Sequence, residues 1–343
     1  MARPCVKFSG SPLRARRGLI LGTGFGLLGW PLVALAQTPP KSLHVGILVG
    51  GGQAQRGHLE QALLQGLQEQ GYVEGRNLVV VRRYADGQNE RTPEYARELA
   101  TMRLDAVVTT CTPSTRAAMQ ALSHTPIVMA AVADPVGQRL INSLAKPGGW
   151  LTGLSSQAED ILPRMLALFT QIQPRPRFVA VLADQVSDVH PRMWRTLEPA
   201  ARTLDLRLVK VEVGRSAGSN LPAAFNASTQ SGADAVFVLP DEPYFLVRRA
   251  EVVALAAKHR LPAFYGAREF VVDGGLMSYG ESLSSAYRQA AGYLAAINRG
   301  ADPGNLPVQQ PTRFELVLNA GTARSLGLQL PQSLLLSADE LIG

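Results

Sequence analysis

A chain of 343 residues is long enough for about two domains of roughly 100–200 residues each, so it can bury sizeable cores and is not a small disulfide-stapled scaffold. With 46% hydrophobic residues, 18% charged residues and a mean hydropathy of +0.04, it carries too much apolar material for a disordered chain. The formal net charge of +7 invites nucleic acid or an acidic membrane as a partner, but its distribution removes that reading. Arg3, Lys7, Arg14, Arg16 and Arg17 stand in residues 1–36 with no Asp or Glu beside them. Past that segment 29 (34 less these 5) basic residues face 27 acidic ones, a net charge of only +2, so no nucleic-acid partner is expected.

The basic start, the apolar run Leu19 to Leu35 and the small residues Ala34 and Ala36 before Gln37 predict a secretory signal peptide, residues 1–36, cleaved after Ala36. A membrane anchor is the rival. The run is glycine-rich, broken by Pro31 and short of the ~20 apolar residues that span a bilayer. Arg16-Arg17 leaves both the general secretory and the twin-arginine routes open. Cys5 leaves with the signal, so the mature chain keeps only Cys111 and can form no internal disulfide; no cysteine at the cleavage site offers a lipid anchor. A soluble periplasmic protein is expected.

From Leu43 the chain alternates strand-like and helix-like runs. His44 to Val49 reads as a buried strand, and Leu59 to Gln70, with Leu63, Leu64 and Leu67 on one face, as a helix ended by Gly71. Further strand–helix units follow at Leu78–Tyr84 with Pro93–Met102 and at Ala106–Thr110 with Ser114–Leu122, then the strand Ile127–Ala131. After Pro147-Gly148-Gly149 and a short strand at Leu151–Leu154 the pattern starts afresh. Strands are predicted at Phe178–Leu182, Leu206–Val211, Ala235–Leu239 and Ala263–Tyr265, with helices at Met193–Leu204, Leu221–Ser231 and Leu246–His259. Leu276–Tyr279 leads into a helix at Ala286–Asn298, and Phe314–Leu318 supplies a late strand.

Apolar strands joined by crossover helices imply parallel sheets covered on both faces. The fold class expected is α/β, two doubly wound parallel-sheet lobes joined by a hinge. The first lobe is drawn at residues 43–153 and completed by about 281–319, the second at 154–280, with residues 320–343 open between them. In such sheets ligands sit beyond the carboxyl ends of the strands, which points to the cleft between the lobes.

The loops at those ends supply the candidates. Gly50-Gly51-Gly52 follows the first strand, but Gln55 breaks the dinucleotide-binding spacing, leaving either a turn that needs glycine conformations or a loop in which Gly52 and Gln53 offer amides to a ligand. Thr110, Cys111, Thr112 and Ser114 lie at a helix start, where hydroxyls and unpaired amides suit a carboxylate; capping of the helix with Pro113 in its first turn is the alternative. Asp134 and the run Asp241-Glu242-Pro243-Tyr244-Phe245 place acids at strand ends, to meet an ammonium group or to act as turn residues, with Tyr244 available to stack on a ring. Ser156 and Asp184, beyond two further strands, complete the candidate set. Asp184, Asp188 and His190 read as a solvated loop rather than a metal site, because no further ligand stands at the right spacing. With no nucleophile elbow and no phosphate-binding loop, no enzyme, cofactor or metal is expected.

Four runs occur in order: Gly71-Tyr72-Val73-Glu74-Gly75-Arg76-Asn77; Ala133-Asp134-Pro135-Val136 with Lys146-Pro147-Gly148-Gly149; Arg268-Glu269-Phe270 with Gly274-Gly275-Leu276-Met277-Ser278-Tyr279-Gly280; and Pro307-Val308-Gln309-Gln310-Pro311-Thr312-Arg313-Phe314-Glu315-Leu316-Val317-Leu318-Asn319. Together they closely resemble the ABC-transporter substrate-binding protein family that includes the tryptophan/tyrosine-binding lipoproteins of Gram-positive bacteria. The resemblance implies a type I periplasmic-binding fold and, in some members, an aromatic amino acid as ligand. The chain departs from the pattern at Trp150, where members usually have Asn, and in the loop Thr110-Cys111-Thr112, where they are commonly glycine-rich; the lipidation cysteine is absent.

The expected protein is therefore a periplasmic solute-binding component of an ABC importer, a monomer that captures an amino acid or small carboxylate and hands it to an ABC permease in the inner membrane. The rival of a different class is a sensory module presenting its closed form to a membrane receptor. On the first reading, the Thr110–Ser114 loop holds a ligand carboxylate and Asp241 its ammonium.

Overall fold

The computed structural model describes residues 41–343, apart from 173, 215–219 and 241–242 and the side chains of residues 54–56. Residues 1–36, predicted from sequence to be a signal peptide, and Asp241 lie outside the described residues. No described helix is long and apolar enough to cross a membrane.

The first lobe begins with β1 (Leu43–Val49), α1 (Gln53–Glu69), β2 (Leu78–Tyr84), α2 (Thr92–Ala100), β3 (Ala106–Thr109), α3 (Thr112–Ala121), β4 (Ile127–Ala133) and β5 (Leu151–Ser156). Its five strands run parallel in the order β2-β1-β3-β4-β5. The inner strands β1, β3 and β4 are apolar on both faces because helices cover both, whereas the edge strand β2 carries Arg82 and Arg83. Val45, Ile47 and Val49 pack beneath Leu59, Leu63 and Leu67 of α1, while Leu48 between them faces Leu99, Ala117 and Ala118 on the other side.

The second lobe holds α4 (Leu162–Phe169), β6 (Phe178–Asp184), α5 (His190–Thr203), β7 (Arg207–Val213), α6 (Leu221–Gln230), β8 (Ala235–Val238), α7 (Pro243–Val247), α8 (Arg249–Lys258), β9 (Ala263–Tyr265), α9 (Arg268–Val272) and β10 (Met277–Glu281). The same alternation recurs: Val179, Val181 and Ala183 meet Leu166, Phe169 and Leu197, and Ala180 and Leu182 meet Leu221, Phe225 and Val252. Helix starts follow local rules; the Asn220 side chain accepts from the Ala223 N–H, and Pro stands in the first turn of α3, α4, α5 and α6.

The chain then returns. α10 (Leu283–Asn298) lays Tyr287, Ala290, Ala291 and Leu294 into the core beneath β1, and residues 303–309 run along β5, with Thr152 Oγ1 donating to the Leu306 carbonyl at 2.7 Å. Here the lobe boundaries drawn from sequence need correcting. β11 (Phe314–Asn319) does not complete the first lobe: it pairs antiparallel with β10 in the second sheet. Periodicity marks a strand but carries no information on a non-local partner. α11 (Ala320–Ser325), α12 (Gln332–Ser337) and β12 (Glu340–Ile342) follow, and β12 pairs with β11, which places the C-terminal segment in the second sheet, ordered β12-β11-β10-β9-β8-β6-β7. β5 extends through Ser156, moving the first crossing past residue 154.

Three segments thus cross between the lobes: residues 157–161, Ser282 and residues 310–313. They run side by side. On the first lobe the Gln309 N–H donates to the Gly153 carbonyl (3.0 Å) and the Ser155 N–H to the Gln309 carbonyl (2.8 Å); on the second, Glu281 lies opposite Phe314 in the β10–β11 pair.

Candidate functional site

The loops and strand ends of the two sheets meet at a cleft of about 850 Å³, counting the space open to solvent. The first lobe contributes Thr110, Cys111 and Thr112 from the β3–α3 loop, Ala130, Ala131 and Ala133 from β4, and Ser156 from β5. The loop is held by its own hydroxyls. Ser114 Oγ accepts from the Thr110 and Cys111 N–H groups (3.2 Å each) and donates to the Cys111 carbonyl (2.9 Å), while Thr110 Oγ1 accepts from the Gly50 N–H (3.2 Å). Cys111 caps α3, its side chain accepting from the Ser114 N–H in a capping box; Thr112 is the first residue of the helix and Pro113, which has no N–H, its second, so the first turn is largely satisfied from within the loop. In β4 the register with β5 shifts between Ala130 and Val132, and Ala131 has φ +70°. A bulge of this kind turns a strand end toward a site, at a cost of order 1 kcal/mol for a residue other than glycine.

The second lobe contributes Val238 at the end of β8 and Leu239 and Pro240 after it, Pro243, Phe245 and Leu246 from α7, and Ala267 and Phe270 around α9. Gly280, Glu281 and Phe314 come from β10 and β11. Phe270 is stacked flat on buried Tyr265, ring centroids 4.6 Å apart. Pro240 is held from behind by His190, whose Nε2–H donates to its carbonyl (2.9 Å) while Nδ1 accepts from the Asp184 N–H (2.8 Å). Those two bonds fix the neutral tautomer, and burial pushes the His190 pKa down to about 4.

Thr110, Cys111, Thr112 and Ser156 line the cleft. The other candidates sit elsewhere. Ser114 is fully buried, and its hydroxyl is used inside its own loop. Gly52 is buried at the start of α1 with ordinary extended backbone, and Gln53 is exposed. The glycine run needs no left-handed conformation; Gly50 is required by close approach, since a Cβ there would lie 2.5 Å from Cys111 Sγ and 2.8 Å from Pro243 Cγ of the other lobe. Asp134 accepts from the Gly137 N–H (2.8 Å) and pairs across the lobes with Arg192 (2.7 Å), so its carboxylate holds protein rather than facing the cleft. Asp184 and His190 are buried, not a solvated loop, and Asp184 Oδ1 accepts from the Val186 N–H (3.3 Å). Among the described residues no group of three or more His, Cys, Asp or Glu could hold a metal ion. Tyr244 is buried beside Arg248, whose guanidinium lies over its ring; its neighbour Phe245 takes the place on the cleft wall.

A second cross-lobe contact joins His58 Nε2 of α1 to Glu269 Oε1 of α9 at 3.0 Å. In the first sheet β1 and β4 flank β3, and in the second β9 and β6 flank β8. The Asp134–Arg192 and His58–Glu269 contacts therefore arise on either side of the β3 and β8 loops that line the cleft. Sequence reasoning missed Phe270, Phe314 and Glu281, although the first two lie within recognised runs.

The chain is 28% identical to a conserved domain protein from Vibrio cholerae O1 biovar eltor, superposing with a TM-score of 0.80 over 88% of this chain and 100% of that one. An ABC domain from Streptococcus pneumonia in complex with L-Trp, 22% identical, superposes with a TM-score of 0.80 over the same shares. In sequence the chain is 25% identical over 283 residues to the "Tyrosine-binding protein" of Clostridioides difficile, covering 82% of this chain and 79% of that protein. The tyrosine-binding relative and the L-Trp complex are substrate-binding proteins rather than enzymes, and the two parallel-dominated sheets of this chain match the type I periplasmic-binding fold. Residues 51–342 match the model of the ABC transporter substrate binding protein family, and the chain belongs to that family.

Proposed function

We propose that this protein captures a free amino acid with an aromatic or large aliphatic side chain in the periplasm, and delivers it as a monomer to an ABC permease of the inner membrane. The observation that carries the reading is the unequal cleft: hydroxyls at a helix start on one lobe, phenylalanines and aliphatics on the other. A carboxylate is stabilised by the hydroxyls of Thr110, Thr112 and Ser156 and by the positive end of the α3 dipole. A large apolar side chain removes water from Phe245, Leu246, Phe270 and Phe314. The tyrosine and L-Trp named for two relatives are of this chemical class. A ligand touching both lobes favours the closed arrangement by its differential contacts, and the permease reads that arrangement. Residues 1–36, basic and then apolar, act as the cleavable export signal.

The test is a thermal-shift screen of the chain from Gln37 against the amino acids and small carboxylates. A ligand at 100 times its Kd adds about 2.7 kcal/mol of stability. Large apolar amino acids should raise the melting temperature most; a screen in which none of these compounds shifts it at millimolar concentration overturns the reading.

A further inference from the structure

The second lobe holds another cavity, of about 610 Å³ counting the space open to solvent. It lies between α8, α11 and the turn from α9 to β10, near the starts of β9 and β10, whereas the cleft lies at the ends of those strands. Val253, Ala256, Leu261, Leu276 and Leu326 give it apolar walls. Two polar groups stand at different depths. Tyr265 lines the cavity and is wholly buried, and its hydroxyl makes no hydrogen bond among the described residues. Its ring, stacked on Phe270, reaches back to the α9–β10 turn, since a Cβ on Gly275 would lie 2.6 Å from its Cε2. Burial pushes the phenol well above its ordinary pKa, so it stays a neutral donor. Arg260 is exposed at the rim, and its guanidinium makes no ion pair or hydrogen bond with the described residues. The other hydroxyls of the cavity already donate within the protein: Thr322 Oγ1 to the Gly274 carbonyl and Ser325 Oγ to the Thr322 carbonyl, both at 2.8 Å.

An apolar cavity with a few placed polar groups is the usual make-up of a small-molecule site, and a buried donor without an acceptor is destabilising until something accepts from it. We propose that this cavity is a second ligand site, separate from the cleft, which takes a small aromatic carboxylate with an oxygen at the far end of its ring. Arg260 pairs with the carboxylate at the rim, the ring lies among the aliphatic side chains, and the Tyr265 hydroxyl donates to the inner oxygen. The orientation follows from exposure: the anionic group stays near water, where it keeps most of its hydration, and the neutral oxygen goes to the depth where a hydrogen bond awaits it. The inference is independent of what the cleft binds.

Titration calorimetry with 4-hydroxybenzoate, benzoate and 4-hydroxybenzyl alcohol tests it, with circular dichroism checking the fold of each variant. 4-Hydroxybenzoate should bind most tightly, with each partial analogue about 3- to 10-fold weaker for the contact it lacks. Tyr265→Phe should erase the preference over benzoate without lowering the melting temperature, because it keeps the ring and removes a donor that has no acceptor in the free protein. Arg260→Gln should erase the preference over the alcohol. Ala257→Trp and Ser325→Trp, at exposed positions on opposite walls, should each fill the cavity and abolish binding. Binding kept in both tryptophan variants puts the probe elsewhere, in the cleft for example, and overturns the proposal. So does a preference for 4-hydroxybenzoate over benzoate that survives Tyr265→Phe, or the failure of all three probes to bind at millimolar concentration.

Discussion

The two walls of the cleft are built on opposite principles. The first lobe presents small residues and hydroxyls, and its shape comes from hydrogen bonds closed within one loop, Ser114 to Thr110 and Cys111, and Thr110 to Gly50. The second presents large side chains that belong to its own core: Phe245 and Phe270 pack among Val238, Val252 and Tyr265, and Leu239 among Val181 and Phe264. The difference teaches that the polar half of recognition is a matter of backbone geometry, whereas the apolar half cannot be separated from the stability of the lobe that carries it.

The largest break in that contrast should come from Phe270→Ala. Removing a buried ring stacked on Tyr265 should cost about 3–5 kcal/mol of folding stability, read by urea denaturation, together with affinity for any large apolar ligand. Acid comes next. His190 is held neutral with its pKa lowered to about 4, so its contribution is present above about pH 6.5 and is lost as pH falls from 6.5 through 4. The loss should amount to about 2–4 kcal/mol by the size of the shift, and His190→Gln should flatten the profile. Hydrogen exchange near pH 4.5 should show the second lobe opening before the first, where His44 and His58 are substantially exposed.

A smaller effect, about 1–3 kcal/mol, is expected from Ser114→Ala, which leaves the Thr110 and Cys111 amides without their acceptor. It should lower stability without removing any atom that faces the cleft. Equal losses of affinity from Ser114→Ala and Thr112→Val would erase the distinction between loop support and cleft lining. The smallest effect should come from Arg192→Ala. Its pair with Asp134 is partly exposed, so about 1 kcal/mol is at stake, seen in small-angle scattering as a larger unliganded radius of gyration with little change in melting temperature.

The strands could be read from the sequence because parallel, doubly covered sheets demand continuous apolar runs such as Val45–Val49 and Val179–Ala183. Short elements escaped. α9 and α11 span single turns after a strand, β12 has three residues, and the antiparallel pairing of β11 with β10 depends on neighbours that no local pattern names. The same limit governs the site. The hydroxyl loop is local, so its residues could be found together; Asp134 is claimed by Arg192 from another lobe, and Phe245 rather than Tyr244 faces the cleft because of how α7 is rotated, which a five-residue helix does not announce in its sequence.

Three parallel tethers between the lobes leave the molecule one soft rotation. Turning about the line they share changes a few backbone dihedrals, whereas twisting one lobe against the other would stretch at least one tether. Ser156, Glu281 and Phe314 sit beside that line and barely move as it turns; Phe245, carried beyond β8 two strands away, travels much farther. On the proposed function, groups on the axis are those that meet the solute before rotation and set how well it is caught, and groups at the far radius are those that meet it after rotation and set how long it stays.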